Sequence, residues 1–317
     1  MPTVRAVNIV EWGAAPVVGE VAEPAATAGR ALVRMRAAGL NPVDLAIASG
    51  RFYLPLPDPP FVAGAECMGE VVSSTTHPAG TRVWCLPVTG GFGELVTAPE
   101  ESLAPVPDGL DDATAGGLGV AGLAGWMPVR HRGRLAPGET VVVLGASGAV
   151  GRVAVQAARL GGARWVVAVA RGASGREAAL VLGADVALST GPDLAGALRE
   201  ACGGGADLVV DALWGDSAGA AIGVLRRGGR LVQVGNAESP SLEVVAGPLR
   251  GGLIDILGFS VISEDPAAVA RGYRELAEVV LAGEISVGVE AVPLDDAPAG
   301  WARQAAGAGD RKLVLIP

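Results

Sequence analysis

Lysine, histidine and cysteine are scarce in this chain of 317 residues. It has one lysine, Lys312, together with two histidines and three cysteines. The cysteines are Cys67, Cys85 and Cys202; their odd number and wide separation fit neither a disulfide framework nor a metal site. We therefore expect them to be buried free thiols.

The chain also lacks the features of a nucleic-acid-binding or membrane protein. Its formal net charge is −9 and it has no block of basic residues, which argues against a partner with a phosphate backbone. No stretch approaches the ~18 uninterrupted apolar residues that a membrane span requires. The opening residues, MPTVRAVNIVEWG, have neither the basic nor the apolar segment of an export signal, so we expect a cytoplasmic protein.

Apolar residues, in contrast, are plentiful enough for two hydrophobic cores. Half of the chain is hydrophobic, and its length corresponds to about two domains of ~100–200 residues each. As far as residue 120, short alternating apolar runs are broken by Gly and Pro, as in 31–40, 69–74 and 80–87. This pattern predicts a barrel-like domain of short strands.

The pattern changes from residue 139 onwards. The strand-like runs TVVVLG, WVVAVA, DVAL, DLVVDA and RLVQVG alternate with Ala-rich helical stretches, which predicts a parallel sheet with helices on both faces. Near the end, a capped helical segment places Val269, Tyr273, Leu276 and Val280 on one apolar face. The final run, RKLVLIP, is expected to be a strand that returns to the first domain.

A glycine-rich turn follows the first strand of this alternation. Gly145, Gly148 and Gly151 are spaced G-x-x-G-x-x-G between a strand and a helix. Glycines allow the backbone to approach a pyrophosphate, and the helix N-terminus supplies unpaired N–H donors. Tight strand–helix packing would also explain the glycines. Because the turn opens the first βαβ unit, the sequence predicts a dinucleotide site here.

The second strand of the alternation indicates which dinucleotide binds. An NAD site usually carries Asp or Glu about 20 residues beyond the turn, but no acid occurs from 152 to 176. Arg171, Ser174 and Arg176 instead offer positive charge and a hydroxyl to a 2′-phosphate, although solvated surface arginines are the alternative. We therefore predict NADPH.

Six motifs in order make the whole chain resemble one family, the zinc-independent medium-chain dehydrogenases/reductases of the quinone oxidoreductase type. The motifs are AAGLNPVDLAIASG (37–50), VAGAECMGEV (62–71), VPDGLDDATAGGLGVAGLAGW (106–126), GETVVVLGASGAVG (138–151), LGADVAL (182–188) and RRGGRLVQVGNA (226–237). The resemblance implies an α/β fold: a GroES-like, β-rich catalytic domain over 1–121 and 262–317, and a doubly wound Rossmann NADPH-binding domain over 122–261. A homodimer is also expected.

The resemblance further implies that no metal takes part. Zinc enzymes of the superfamily place ligands at positions that correspond here to Asn41, Ala65 and Val120, which form no usable ligand set. The four-cysteine zinc lobe has no counterpart, and His77 and His131 lie in polar or Arg-rich contexts.

Similar enzymes place the Asn and Asp of a G-x-N-x-x-D motif near the nicotinamide, which gives Asn41 and Asp44 here. Turn-forming side chains that bond the local backbone would explain the same two residues. Tyr53 is the candidate proton donor, although Phe52 could face the substrate instead. Ala124 stands where relatives often carry a hydroxyl, so the site is poorer in proton donors and suits activated acceptors.

The resemblance assigns the cofactor contacts to two groups of residues. In the glycine turn they are Gly145, Ser147, Gly148, Ala149, Val150 and Gly151, with Arg171, Ser174 and Arg176 beyond the second strand. Further along the chain they are Gly235, Asn236, Phe259, Ser260 and Lys312.

The predicted function is an NADPH-dependent reductase that transfers hydride to a quinone or an α,β-unsaturated carbonyl compound without metal. Two alternatives stay open: a dedicated enoyl reductase of a biosynthetic pathway, and a non-catalytic NADPH-binding or sensing protein. The partners expected are small molecules, with neither nucleic acid nor membrane.

Overall fold

The computed structural model describes residues 2–307 and 309–317; Met1 and Ala308 lie outside the described residues. The chain divides into two units. Unit 1 comprises Met1–Ala121, Glu264–Gly283 and Val287–Pro317, and unit 2 comprises Gly122–Ser263 and Glu284–Ser286. Within the described ranges, no helix combines the length and apolarity needed to cross a membrane.

Unit 1 is built mainly from short strands in two sheets. In chain order the strands are β1 (Thr3–Ile9), β2 (Val17–Ala22), β3 (Arg30–Gly39), β4 (Phe61–Val62), β5 (Cys67–Ser73), β6 (Arg82–Cys85), β7 (Leu95–Pro99), β8 (Ala104–Pro105), β15 (Val289–Pro293) and β16 (Lys312–Ile316). One sheet has the order β2-β1-β4; the other has the order β15-β16-β3-β5-β6-β8, with β7 also paired to β3. Because β16 pairs antiparallel with β3, the tail does return to the first domain.

The described residues of unit 1 also form four α-helices. They are α1 (Pro42–Ala48), α2 (Asp112–Leu118), α9 (Pro266–Leu281) and α10 (Ala297–Ala305). The Asp265 side chain caps α9 by accepting a hydrogen bond from Ala268 N at 2.9 Å. Val269, Tyr273 and Leu276 are buried, as the predicted apolar face requires, whereas Val280 is half-buried.

The core of unit 1 gathers alternate residues of its strands. Ala31, Val33 and Met35 of β3 point into it because successive strand side chains face opposite ways. Cys67 and Cys85 lie opposite each other on β5 and β6 and are fully buried in this core. They are free thiols, as is buried Cys202 in unit 2, so the prediction for the cysteines is confirmed.

Unit 2 contains one sheet of six parallel strands. In chain order they are β9 (Thr140–Leu144), β10 (Trp165–Val169), β11 (Val186–Leu188), β12 (Ala206–Asp211), β13 (Leu225–Gln233) and β14 (Asp255–Gly258). Their order in space is β11-β10-β9-β12-β13-β14. The predicted parallel sheet is confirmed, and its chain order reverses between β9 and β12, the position where such sheets bind ligands.

Helices cover this sheet on both faces. They are α4 (Ala149–Leu160), α5 (Ala173–Val181), α6 (Leu194–Cys202), α7 (Gly215–Ile222) and α8 (Ala246–Gly252). The helix α3 (Val120–Met127) begins with the last two residues of the first segment of unit 1 and continues into unit 2. On one face, Val142, Leu144 and Val209 pack with Leu198 of α6 and Ala218 of α7. The alternate residues of the same strands face the other way and are also buried, which accounts for their nearly continuous apolar sequence.

Asp211 ends β12 in a fully buried position beside Leu144 of β9. Its Oδ1 accepts hydrogen bonds from Leu213 N at 2.8 Å and Trp214 N at 2.9 Å. Among the described residues, Oδ2 of Asp211 is the one buried side-chain nitrogen or oxygen atom that has no hydrogen-bond partner. Burial raises the pKa of Asp211 from 3.8 to about 6, and nearby Glu238 adds to this rise.

We expect Asp211→Asn to gain stability over the parent as the pH rises. The folded-state pKa is raised, so the stabilisation from protonated Asp211 is complete below pH ~3.8 and is lost as the pH rises through about 6. The advantage of the variant should therefore grow by up to about 3 kcal/mol between about pH 4 and pH 8. Urea unfolding at both pH values measures this change. The exposed carboxylate of Asp216 provides the control Asp216→Asn, and an equal pH trend in both variants would refute the assignment.

Candidate active site

The glycine turn of unit 2 leaves the carboxyl end of β9. Gly145 has φ +81°, a left-handed conformation that favours glycine. Gly145 N and Ala146 N both donate to Val169 O, at 3.0 and 2.9 Å, which fastens the turn to the end of β10. The turn is therefore held at the edge where the parallel strands end.

The helix that follows the turn has an open N-terminus. Gly148 is the N-cap of α4 and provides no side-chain hydrogen bond. A Cβ at Gly151 would overlap Gly145 O, whereas one at Gly148 would meet a single atom within 4 Å. The turn is thus packed tightly against the helix but unobstructed at its front. This cradle fits the pyrophosphate of a dinucleotide, since the first-turn N–H groups of a helix have no intrahelical acceptors.

The predicted contacts in the turn differ in exposure. Ser147, Ala149 and Val150 are half-buried, Gly148 is exposed and Gly151 is buried. A Cβ at Gly175, in the first turn of α5, would lie 2.5 Å from the Ser147 Cβ. The start of α5 therefore packs directly on the glycine turn.

Two exposed residues and one arginine that is hydrogen-bonded to the backbone follow the end of β10. Arg171 and Ser174 are exposed on either side of Gly172, the N-cap of α5. Arg176 Nη1 donates to Ala170 O at 3.2 Å and Arg171 O at 2.8 Å, so its guanidinium supports the backbone of the turn. Arg171 and Ser174 are thus the members of this trio placed to meet a phosphate from solvent.

The remaining contacts predicted in unit 2 follow the next strands of the same sheet edge. Gly235 and Asn236 come after β13, where Gln233 Nε2 donates to Gly235 O at 2.9 Å. Phe259 and Ser260 come directly after β14, and Phe259 N donates to Gln233 O at 2.9 Å. Asn236 is exposed, Gly235 and Ser260 are half-buried and Phe259 is buried. The fold thus brings all these residues to the carboxyl edge that carries the glycine turn.

In unit 1, Asp44 supports the backbone at the start of α1. Its Oδ2 accepts a hydrogen bond from Asn41 N at 2.7 Å, and its Oδ1 accepts one from Ala65 N at 2.8 Å. Asp44 is 2% exposed. The structure therefore shows the local backbone role that the sequence left open, and a role in chemistry stays a prediction.

Asn41 lies at the centre of a buried polar chain. Its Nδ2 donates to Glu66 Oε1 at 2.7 Å and to Gly39 O at 2.8 Å, and its Oδ1 accepts from Lys312 Nζ at 2.5 Å. An ammonium only donates and a carboxylate only accepts, so the orientation of the amide is fixed. Both amide hydrogens of Asn41 are used inside the protein, and its side chain has little exposed surface.

Glu66 is a buried acid that the sequence analysis did not single out. In addition to Asn41, its Oε2 accepts from Trp84 Nε1 and Val120 N, each at 2.8 Å. The available signal was the occurrence of two acids, Glu66 and Glu70, in the mainly apolar stretch VAGAECMGEV. The partners lie as many as 54 residues away along the chain, so no local pattern could identify them.

The cluster contains two buried carboxylates and one buried ammonium. Burial raises the pKa of Asp44 to about 7, opposed by its two backbone hydrogen bonds and by Lys312. Burial also raises the pKa of Glu66 and lowers that of Lys312, while Lys312 and Glu66 oppose each other's shifts. Lys312 Nζ also donates to Leu40 O at 2.6 Å. The predicted residues Asn41, Asp44 and Lys312 are therefore brought together, with Glu66 as their common neighbour.

Tyr53 lies apart from this cluster. Its side chain is 64% exposed, and its ring centroid lies 4.4 Å from that of Phe52. Phe52 is half-buried and, with Trp12, Ser49, Gly50, Leu54 and Leu56, lines a cavity of about 390 Å³. Phe52 is thus the residue of this pair that faces a cavity.

The three positions that correspond to zinc ligands offer no ligand set. Asn41 is committed to Glu66 and Lys312, and neither Ala65 nor Val120 carries a donor side chain. Across residues 2–307 and 309–317, no group of three or more His, Cys, Asp or Glu side chains could hold a metal ion.

Comparison with known proteins associates both units with one enzyme family. The model for zinc-binding dehydrogenases matches residues 149–277, and the model for the alcohol dehydrogenase GroES-like domain matches residues 27–108. A quinone oxidoreductase of Lama guanicoe is 30% identical over 244 residues, which cover 73% of each chain.

Two other similar proteins extend this comparison. A component of the phenolphthiocerol/phthiocerol polyketide synthase of Mycobacterium tuberculosis is 32% identical over 298 residues, which are 89% of this chain but 13% of that much longer protein. A solved mycobacterial protein, complexed with NADPH, is 26% identical with a TM-score of 0.88, covering 99% of this chain and 100% of the other.

Replacing Glu66 with glutamine should strongly destabilise the protein. The new amide group would face donors from Asn41, Trp84 and Val120, and Lys312 would lose its nearby negative charge, which costs about 3–5 kcal/mol of unfolding free energy. Glu70→Gln, on the strand β5 that directly follows Glu66, is the matched control. Glu70 pairs with Arg36 at 2.9 Å in a part-exposed position, and its loss should cost less than about 1 kcal/mol. Equal urea midpoints for the two variants would show that Glu66 is not the centre of the cluster.

Proposed function

This chain belongs to the zinc-independent, quinone oxidoreductase-like group of the medium-chain dehydrogenase/reductase family, and on that basis we propose that it transfers hydride from NADPH to a quinone or an α,β-unsaturated carbonyl compound. The family resemblance recognised in the sequence is thereby confirmed, and the chain is an oxidoreductase. We assign NADPH binding to the Rossmann domain over 122–261. We assign the GroES-like catalytic domain to 1–121 and 262–317, whereas unit 1 of the structure resumes at Glu264 and excludes Glu284–Ser286.

The observation that carries this proposal is the glycine cradle with an arginine beyond the second strand. The open N-terminus of α4 suits a pyrophosphate, and Arg171 stands exposed where an NAD site would present an acid. The mycobacterial relative complexed with NADPH supports the same cofactor here. Gly235, Asn236, Phe259 and Ser260 would complete the site at the same sheet edge.

Bound NADPH would supply the hydride. The protein would supply positioned polar groups, since the acceptor becomes negative as it is reduced. We assign this role to the cluster of Asn41, Asp44 and Lys312, in which the Lys312 ammonium is the positive charge. Because both amide hydrogens of Asn41 are already used, we assign to it the orientation of Lys312 and of the nearby backbone. Tyr53 is exposed and is the proposed proton donor.

The reaction would proceed without zinc. Ala65 and Val120 cannot coordinate a metal, and the Asn41 amide is held by Lys312 and Glu66. Acceptors that need little polarisation, such as quinones and conjugated enones, are therefore favoured over isolated carbonyl compounds. Ala124, which lacks a hydroxyl, agrees with this preference.

A dedicated enoyl reductase is the second candidate. Its support is the similarity to a segment of a polyketide synthase, at 32% identity over 298 residues. Both candidates use the same cofactor and the same hydride chemistry, and they differ in the acceptor.

A homodimer is the assembly that we propose. The edge strand β14 pairs with β13 and ends the six-stranded sheet, so its other side offers backbone groups to a second strand. Val245 and Leu253, at the two ends of the preceding helix α8, are 68% and 58% exposed. These apolar groups would be covered if two copies met along β14.

NADPH should bind at least ten times more tightly than NADH, a difference of about 1.4 kcal/mol. Arg171→Ala should remove most of this preference by weakening NADPH binding, with NADH binding unchanged, because only NADPH carries the 2′-phosphate. Titration of each cofactor, followed by fluorescence, gives both constants. Arg199→Ala removes an exposed arginine of α6 and should keep the preference. Equal affinities of the parent for both cofactors would contradict the assignment.

The purified protein should oxidise NADPH in the presence of 9,10-phenanthrenequinone or small enones, and a metal chelator should leave the rate unchanged. Simple ketones should be poor acceptors, because Asn41, Ala65 and Val120 offer no ligand set for a metal that could polarise an isolated carbonyl. Steady-state rates with the three acceptor classes, with and without chelator, measure both expectations. Loss of activity on chelation, or a preference for simple ketones, would refute the metal-free mechanism.

A further inference from the structure

The cavity beside Phe52, called here the Trp12 pocket, is lined by apolar side chains together with polar groups. Its lining residues are Trp12, Ser49, Gly50, Phe52, Leu54 and Leu56, around a volume of about 390 Å³. The single lining hydroxyl, Ser49 Oγ, donates to Ala46 O at 2.9 Å within its own helix end. None of these lining residues is charged, and four of the six carry apolar side chains, so the pocket suits a neutral molecule with an apolar substituent.

One wall of the pocket is formed by the proline-rich segment after α1. Along residues 51–57 the side chains alternate between exposed and half-buried, and the half-buried ones are Phe52, Leu54 and Leu56. Pro55 and Pro57 occupy exposed positions, and proline favours an extended backbone. The segment thus presents three apolar side chains on one side.

The other wall is formed by Trp12, in the turn between β1 and β2. Gly13 N donates to Ala48 O at 2.8 Å, which fastens this turn to the end of α1. The Trp12 ring lies 3.3 Å from the place where Gly50 would carry a Cβ, and 5.6 Å between centroids from Phe61. Trp12 is nevertheless 38% exposed, so its ring is fixed in place while part of its surface stays uncovered.

The size and position of the pocket indicate its ligand. About 390 Å³ lies in the lower part of the 300–1,000 Å³ range of small-molecule sites. The pocket lies at the C-terminal end of α1, whose N-cap is Asn41. Seven residues of helix separate the two ends by about 10 Å. A molecule that is reduced beside the Asn41 cluster could therefore reach the pocket with a substituent of about that length.

We propose that the Trp12 pocket binds the apolar tail of the acceptor, so that the preferred substrates are quinones or enones with an alkyl or aryl substituent. The proposal rests on the reductase function proposed above. It identifies Trp12, Phe52 and Leu54 as residues that determine specificity.

A series of 2-alkyl-1,4-benzoquinones from methyl to octyl tests this proposal. In the parent, kcat/KM should rise with each added methylene, by about fourfold at most, until the pocket is filled. Trp12→Ala and Leu54→Ser should flatten this rise. Trp165 is 37% exposed on β10 of unit 2, and Trp165→Ala should keep the parent slope. Far-ultraviolet circular dichroism and melting temperature verify that each variant is folded.

A parent slope of zero, or an unchanged slope in both Trp12→Ala and Leu54→Ser, would overturn the proposal. If no quinone is reduced at all, the proposed reductase function fails, and the pocket is then tested by binding alone. Equilibrium dialysis of octylhydroquinone should show at least tenfold tighter binding to the parent than to Trp12→Ala. Equal binding would exclude the pocket as an apolar site.

Discussion

The hydrogen bonds that converge on the buried carboxylate of Glu66 determine how the polar cluster of this protein is built. They join the N-cap of α1, the indole of Trp84 on β6 and the backbone of Val120 at the start of α3. The surrounding chain is adapted to them: a Cβ at Gly39 or at Gly119 would overlap the Glu66 carboxylate. A buried carboxylate is tolerated only when hydrogen-bond donors meet its oxygens. The donors therefore satisfy the Glu66 carboxylate, and the two glycines leave the space that it occupies.

This constraint has a consequence for chemistry. With Glu66 fixed, Asn41 must turn its Oδ1 towards Lys312, and the ammonium is held by that oxygen and by Leu40 O. A reductase without metal has to stabilise the charge that develops on its acceptor with groups already in place. In the mechanism proposed above, the Lys312 ammonium, which is held by two oxygen acceptors, would meet that requirement, because little reorganisation would be needed when the charge forms. The remote carboxylate thus positions a cation that it does not touch.

Features that depend on neighbouring residues could be predicted from the sequence. The glycine turn, the parallel strands and the helix over 266–281 follow from local spacing and periodicity, and the structure contains all of them. Contacts between distant segments could not be predicted. Glu66 meets Val120 across 54 residues, and Trp12 meets Gly50 only because a turn is fastened to the end of α1. For the same reason the sequence could not decide which of Phe52 and Tyr53 faces a cavity. In the structure, exposed and half-buried side chains alternate along residues 51–57, so that Phe52 is half-buried and Tyr53 is exposed.

Transfer of the hydride itself tests the central claim most directly. NADPH that carries deuterium at the transferring C4 position should be oxidised with a conjugated enone, and the product examined by nuclear magnetic resonance. Direct hydride transfer predicts deuterium at the β-carbon of the saturated ketone and a proton from water at the α-carbon. A product without deuterium at the β-carbon, formed while the labelled cofactor is consumed, would contradict the account.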